Sequence, residues 1–432
     1  MTRTRLPAAP APLDTHHRLL AGWYETRGRA DLATHLARHG PVPLDAYPGE
    51  AGRQRLVDAV DRSGLRGRGG AGFPTGRKLR AVAAGRRRPT VVVNACEGEP
   101  VSGKDHALLT LVPHLVLDGA VLAAHAVGAT EIIVCLHEGD ALRPLVVAAL
   151  AERADPVPFR IQPVPRRYVA SEESALVNLI NTGDPRPTSK PPRPDQRGVR
   201  GRPTLVSNVE TLAQLALVAR HGPDWFRTTG TPDSPGTTLV TVTGAVRRPG
   251  VHEVACGTPI GHALELAGVA PDAQAVLVGG VAGAWLPLPF AAGVPLAHRE
   301  LADAGATLGV GALFVLPAAA CGVAETARIL RYLAGESAAQ CGPCMFGLPA
   351  LADDLTRIAH GGADARIDAR LRRRLAVVEG RGACRHPDGA VRVAASALHT
   401  FASDVRRHRD GRPCVHIGQP RVPLRPGDWS TP

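Results

Sequence analysis

The chain has 432 residues, 44% of them hydrophobic, enough for two or three domains with buried cores. Lys and Arg number 51 against 39 Asp and Glu, a formal charge of +12, but much of the excess is arginine on an Ala/Pro/Gly-rich background. Aromatic residues make up only 3%, poor material for base-stacking platforms, so composition argues against nucleic acid as the partner.

In chain order, the opening MTRTRLPAAPAPLD lacks the apolar run of a secretory leader, and residues 1–50 read as an irregular, Pro-rich lead with one short helix near 31–39. A helix over 55–62 precedes a glycine-rich loop, and a buried strand over 90–94 opens into NACEGEP. The apolar tract 107–129 reads as a long helix; Pro113, His114, Asp118 and His125 interrupt it, so direct membrane insertion is not expected. A strand over 131–136, a helix over 142–153 and a strand over 159–164 follow. SEESALVNLINTGD has acids in its first turn and Gly183 at its end, the marks of another helix. Alternation of strand and helix over 51–235 predicts an α/β sheet. The Pro/basic run ending in GRPT reads as extended loop, and Asn208 as the cap of a helix to 219. Over 236–320, short strands (TLVTVTG, VHEV, 275–278 and 312–316) surround a helix opened by Thr258-Pro259, a small α+β domain. Residues 321–410 read as four helical segments and 411–432 as a tail.

Within SGLRGRGGAGFPTGRKLRAV, the run from Gly67 to Gly72 satisfies G-x-G-x-x-G, yet a helix precedes it and Pro74 follows. The ordinary dinucleotide fingerprint needs a strand before and a long helix after, and a P-loop is excluded because Gly76 is followed by Arg-Lys. The residues support a backbone free to approach a ligand, with Arg68 and Lys78 supplying positive charge; a phosphate-binding loop and a plain turn both stay open. Eight cysteines are too sparse for a disulfide scaffold, which suits a reduced, cytoplasmic setting. Cys96, Cys135, Cys256 and Cys321 read as buried apolar residues. Cys341-Gly-Pro-Cys344 follows a helix and has no preceding Trp, so it is not a thioredoxin-type pair.

The segments SGLRGRGGAGFPTGRK, NACEGEPVSGKD, YVASEESALVNLI, SKPPRP, GRPTLVSNVETLA and ESAAQCGPCMFG together resemble, in order, those of the NADH-binding flavoprotein subunit of respiratory complex I, the F-type component of NADH-quinone oxidoreductase. Subunits of NAD-linked hydrogenases and formate dehydrogenases share them. The resemblance implies an α/β FMN-binding domain, a small β-grasp (soluble-ligand-binding) domain and a carboxy-terminal helical bundle carrying an iron–sulfur site. It implies FMN lined by Gly67, Arg68, Gly69, Lys78, Asn94, Glu97, Tyr168, Ser171, Glu172, Glu173, Asn208 and Thr211. NADH would meet Phe73, Glu99, Glu173 and Lys190, with Glu99 and Glu173 at the nicotinamide. Electrons would pass to a [4Fe-4S] cluster and then to a thioredoxin-like [2Fe-2S] subunit or a ferredoxin-type acceptor.

Several residues depart from that pattern. Cys96 stands where the family has an acid, Ser171 where it has glycine, and Ser207 where it has the first of two asparagines. Ala81 and Arg193 replace phenylalanines near the adenine. Cys341, Cys344 and Cys384 match cluster ligands, but Ala338 occupies the place of the first. The fourth corner is open between His386, Ser337, Cys414 and no protein ligand; zinc on the three thiols and His386 competes with a cluster. A non-redox scaffold that kept the fold, with zinc or no metal, is the alternative function.

Overall fold

The computed structural model describes residues 17–21 and 28–424. Strand β1 (Thr90–Asn94) is TVVVN, a β-branched run without polar alternation, as suits a strand covered on both faces. It pairs in parallel with β2 (Ile132–His137), which pairs in parallel with β3 (Phe159–Val164). On its other edge β1 pairs in parallel with β4 (Thr204–Asn208), so the order is β3-β2-β1-β4. Val91 and Val93 join one core with Leu56, Leu79, Leu115 and Leu212 from helices Gly49–Ser63, Thr75–Ala83, Pro113–Val127 and Val209–Arg227. Val92 faces the other way, onto Ile133, Val206 and the Leu176–Val177 face of helix Glu173–Thr182.

The direction of winding reverses between β1 and β4, and their carboxyl ends, Asn94 and Asn208, lie side by side in register. In an open α/β sheet that reversal leaves a crevice where ligands bind.

A second, mixed sheet holds β5 (Thr237–Gly244), β6 (Gly250–Ala255), β7 (Ala273–Val278), β8 (Ala284–Pro287) and β9 (Ala312–Pro317) in the order β6-β5-β9-β7-β8. Only the β5/β9 pair is parallel. Helix Ile260–Leu266 covers one face through Ile260, Ala263 and Leu264. The other face, with Leu277, Phe314 and Leu316, packs on the helix Gly322–Gly335 and those after it.

Four expectations change. The run read as loop through GRPT leads into strand β4, and neither β4 nor β8 was expected as a strand. The apolar tract is two helices, Lys104–Leu111 and Pro113–Val127, bent by 98°. Val112 adopts φ −135°, ψ 51° before Pro113, whose ring disfavours helical geometry in the preceding residue. After Gly322 there are five α-helices and a π-turn over Pro343–Gly347, not four segments. No single helix among the described residues is long and apolar enough to cross a membrane, and the bent pair is mostly buried inside the protein.

Candidate cofactor site

The glycine loop lies across the amino terminus of helix Val209–Arg227. The Arg68 N–H donates to Thr211 Oγ1 at 2.8 Å, and Asn208 caps the helix by accepting from the Glu210 N–H at 3.0 Å. A Cβ on Gly69 would stand 3.3 Å from the Asn208 Cβ, so only glycine lets the loop come this close without displacing Asn208. Gly70 (φ +111°) and Gly72 (φ +61°) take backbone angles that side chains resist. The Gly67 N–H closes the loop on the Phe73 carbonyl at 2.9 Å. Phe73 itself is 43% exposed at the rim, with Arg77 over its ring at 5.7 Å.

Two of the expected flavin contacts point elsewhere. The Arg68 guanidinium is buried at the junction between the sheets, donating to the Thr237 carbonyl at 3.0 Å and facing Cys256 and Glu210, so only its backbone belongs to the crevice. Glu97 accepts from the Asp105 and His106 N–H groups and the Ser102 hydroxyl, closing the start of helix Lys104–Leu111 instead of reaching out.

The remaining polar residues gather at the ends of β1 and β4. Asn94 donates from Nδ2 to the Ser171 carbonyl at 2.8 Å, and the Ser171 hydroxyl donates to the Tyr168 carbonyl. Glu172 caps helix Glu173–Thr182 through the Ser174 and Ala175 amides. Lys190 reaches both Glu172 and Glu173 at 2.8 Å, and Lys78 reaches Glu173 at 3.1 Å. Burial works against ionising Glu173, but the two ammonium groups overcome it and hold its carboxyl at about 2. The environment of Glu99 does the opposite. Glu99 accepts from the Val281 N–H at 3.0 Å and from the Tyr168 hydroxyl at 3.4 Å, and burial pushes its carboxyl up to about 7.

Sequence reasoning missed Lys104. Its side chain is 2% exposed directly behind Asn208, donating to Asn208 Oδ1 at 3.0 Å and paired with Asp105 at 2.5 Å and Glu210 at 3.2 Å. Lysine is rarely buried unless paired, so nothing local in SGKD announces this network.

The cysteine group sits beyond Tyr168. Burial pushes the Cys344 thiol up to about 12, with Cys341, Cys384 and Ser337 as its electrostatic neighbours. Cys384 in turn neighbours Glu172, Cys341 and Lys190, so the thiols adjoin the crevice. The approach uses unusual backbone: Ala339 has φ +50°, and the π-turn starts at Pro343. One candidate for the fourth corner lies elsewhere: Cys414 sits with Cys321 and His408. His386 Nε2 meets the Leu333 carbonyl at 2.7 Å, which leaves its buried Nδ1 without a hydrogen-bond partner. Ser337 stays beside Cys344.

Two family models match: the Nuo51 FMN-binding domain over residues 60–217 and the NADH-ubiquinone oxidoreductase-F iron-sulfur binding region over residues 324–408. The chain is 30% identical over 403 residues to the NADH-quinone oxidoreductase F subunit 2 of Rhizobium meliloti (strain 1021), covering 89% of this chain and 95% of that relative. The chain belongs to the family of NADH-quinone oxidoreductase F subunits. The NAD-reducing hydrogenase HoxS subunit alpha of Cupriavidus necator is 36% identical over 311 residues, which cover 68% of this chain and 50% of that one. A solved NAD+-reducing [NiFe]-hydrogenase in the H2-reduced state superposes with a TM-score of 0.80 at 32% identity, over 93% of this chain and 67% of that chain.

The departures from the F-type pattern have visible settings. Cys96 is buried among Ile133, Cys135 and Val206, and burial raises its thiol well above its ordinary range, so an apolar group replaces a charge. Ala81 and Arg193 are both exposed. The crevice fits FMN: a glycine backbone pressed on a helix amino terminus favours a phosphate, and Lys78 adds charge nearby. The thiol set fits a cluster better than a single zinc ion. Among the described residues, the one group of three His, Cys, Asp or Glu ligand atoms lying within 4.8 Å of one another is Cys321, His408 and Cys414, so Cys341, Cys344 and Cys384 are spread wider than a zinc tetrahedron.

Proposed function

We propose that this chain oxidises NADH through FMN held at the β1/β4 crevice and delivers the electrons to a [4Fe-4S] centre on Cys341, Cys344 and Cys384, and from there to a partner. The observation that carries the reading is the adjacency of the two sites, with Cys384 an electrostatic neighbour of the Glu172–Lys190 pair. Bound FMN converts the two electrons of a hydride into single electrons, and the protein positions it for that task.

Gly67, Gly69, the Arg68 backbone, Asn208 and Thr211 would hold the phosphate end, and Lys78, Asn94, Tyr168, Ser171 and Glu172 the ring end. Glu97 would act at one remove, by fixing the start of helix Lys104–Leu111. Glu173 is kept ionised by Lys78 and Lys190 and would orient the nicotinamide half, with Lys190 and Phe73 further along the NADH. Glu99 would present a carboxyl able to hold or lose a proton near neutral pH. Ser337 is the fourth-corner residue in this reading, an oxygen in place of the missing thiol.

The strand order β6-β5-β9-β7-β8 with a parallel central pair supports a β-grasp domain over 236–320, between an FMN domain over 51–235 and a helical iron–sulfur domain over 321–410. A thioredoxin-like [2Fe-2S] subunit or ferredoxin-type acceptor is the partner in this reading, supported by relatives that are themselves named as subunits. A cytoplasmic setting belongs to it as well, supported by eight cysteines that are all free.

Anaerobic purification with flavin, iron and zinc quantification tests the proposal. We expect flavin bands and broad iron–sulfur absorption, both bleached by NADH, with Cys341→Ser keeping flavin and losing the cluster signal. A colourless protein that takes up no FMN on reconstitution would overturn it.

A further inference from the structure

Away from the crevice, three potential ligands meet where the helical region begins and ends. Cys321 caps the amino terminus of helix Gly322–Gly335, its Sγ accepting from the Ala324 N–H at 3.4 Å. His408 closes the last helix, Ala402–Arg409, and is 0% exposed. Cys414 lies in the segment after it, which the sequence offers only as tail. His408 Nε2 is 3.7 Å from Cys321 Sγ and 3.0 Å from Cys414 Sγ, and all three ligand atoms lie within 4.8 Å of one another.

The geometry points to a second metal centre in this chain, a Cys2His site for a borderline-soft divalent cation, with zinc the best match. Thiolate and imidazole ligands select such ions over magnesium or calcium. Zinc with sulfur at about 2.3 Å and nitrogen at about 2.0–2.1 Å needs tetrahedral edges of roughly 3.3–3.8 Å; the 3.7 Å between His408 and Cys321 falls in that range, and the 3.0 Å between His408 and Cys414 must open by a few tenths of an ångström. Two surrounding groups are already placed to stabilise thiolates: Arg407 Nη2 donates to Cys414 Sγ at 2.7 Å, and the Ala324 amide to Cys321. His408 Nδ1 is buried without a hydrogen-bond partner, beside the Ile358 and Ala359 carbonyls that a small ring rotation would engage. Such a bond is the usual support of a metal-bound imidazole. One adjustment is required, because the Cys414 N–H now donates to His408 Nε2 at 3.0 Å and must turn away when a cation takes that lone pair. With three protein ligands, water completes the sphere.

The ion would act as a clip. Glu325, one turn into helix Gly322–Gly335, accepts from the Arg421 and Val422 N–H groups at 2.9 and 3.0 Å, so the same strap is fastened to the same helix twice. The site would tie residues 411–424 to the helices that carry the iron–sulfur thiols. It does not depend on flavin or NADH.

The test uses the full chain bearing Cys341→Ser, Cys344→Ser and Cys384→Ser, so that those thiols cannot report. Titrated anaerobically with Co2+ and then Zn2+, it is expected to take up about one equivalent, with thiolate charge-transfer and tetrahedral d–d bands that zinc displaces. Adding Cys414→Ser or the size-conserving His408→Gln is expected to weaken uptake by at least about 100-fold, while circular dichroism stays unchanged. Zinc is expected to raise the Tm of the parent and not of these variants. Full uptake in both variants, no uptake in the parent, or a Cys321–Cys414 disulfide that forms in place of metal binding would each overturn the proposal.

Discussion

Glu99 and Glu173 are driven in opposite directions by their surroundings. Glu173 has two lysines within 3.1 Å, whereas Glu99 has backbone amides and a phenol and almost no water. A carboxyl raised from 4.5 to about 7 is bound more tightly to its proton in the fold than in the open chain, so its contribution to stability is present below about 4.5 and is lost as pH rises through about 7. Glu99→Gln is therefore expected to flatten the fall in urea midpoint between pH 5 and 8, an effect on the order of 2–3 kcal/mol; parallel curves for the two proteins would show that Glu99 does not titrate there. None of this is written locally in GEP. Glycine spacing and the Asn208 cap are short-range features and were legible, as was Glu172 as a helix-start acid. Arg68 was misjudged because its partners Thr237 and Cys256 are 169 and 188 residues away, and Lys104 was passed over because, beyond the adjacent Asp105, its second countercharge Glu210 is remote in sequence.

At the scale of elements, the sequence announced those whose signals are internal and hid those defined by a neighbour. Thr90–Asn94 has the composition of a buried strand, and both it and the half-buried Phe159–Val164 keep the bounds read from the sequence. Thr204–Asn208 follows a run of prolines and arginines and becomes a strand because β1 offers it a free edge. The tight meeting of Pro113–Val127 with Val209–Arg227 was equally invisible. A Cβ on Gly119 would stand 1.9 Å from the Leu212 carbonyl oxygen, so the two helices touch backbone to backbone. Gly119→Ala is expected to cost about 3 kcal/mol or more by forcing them apart. Because the second helix supplies Thr211 and is capped by Asn208, the same change should weaken FMN retention, measured by flavin release on gel filtration; an unchanged Tm would contradict the packing argument.

The molecule as a whole is held by ties between segments far apart in the chain. Glu253, on β6, accepts from the Arg18, Leu19 and Leu20 N–H groups at 3.0 Å and from the Thr237 hydroxyl at 2.6 Å, fastening the early chain to the junction of the two sheets. Glu253→Ala leaves those buried donors unmatched, and a loss of about 2–4 kcal/mol is expected, with new protease cleavage near residues 17–21; protection equal to that of the parent would refute it. A second tie joins the crevice to the helical region. The Tyr168 N–H is held by Glu336 at 2.8 Å, just before Ser337, while its hydroxyl rests on Glu99 and its ring packs against Tyr332 and His386. The peptide bordering the proposed flavin site and the peptide leading into the proposed cluster site thus share a single bracket. With polar groups along that route already fixed, little of the surroundings would have to relax when charge arrives, and a hop between the two would be spared the slow rearrangement that a looser seam would impose.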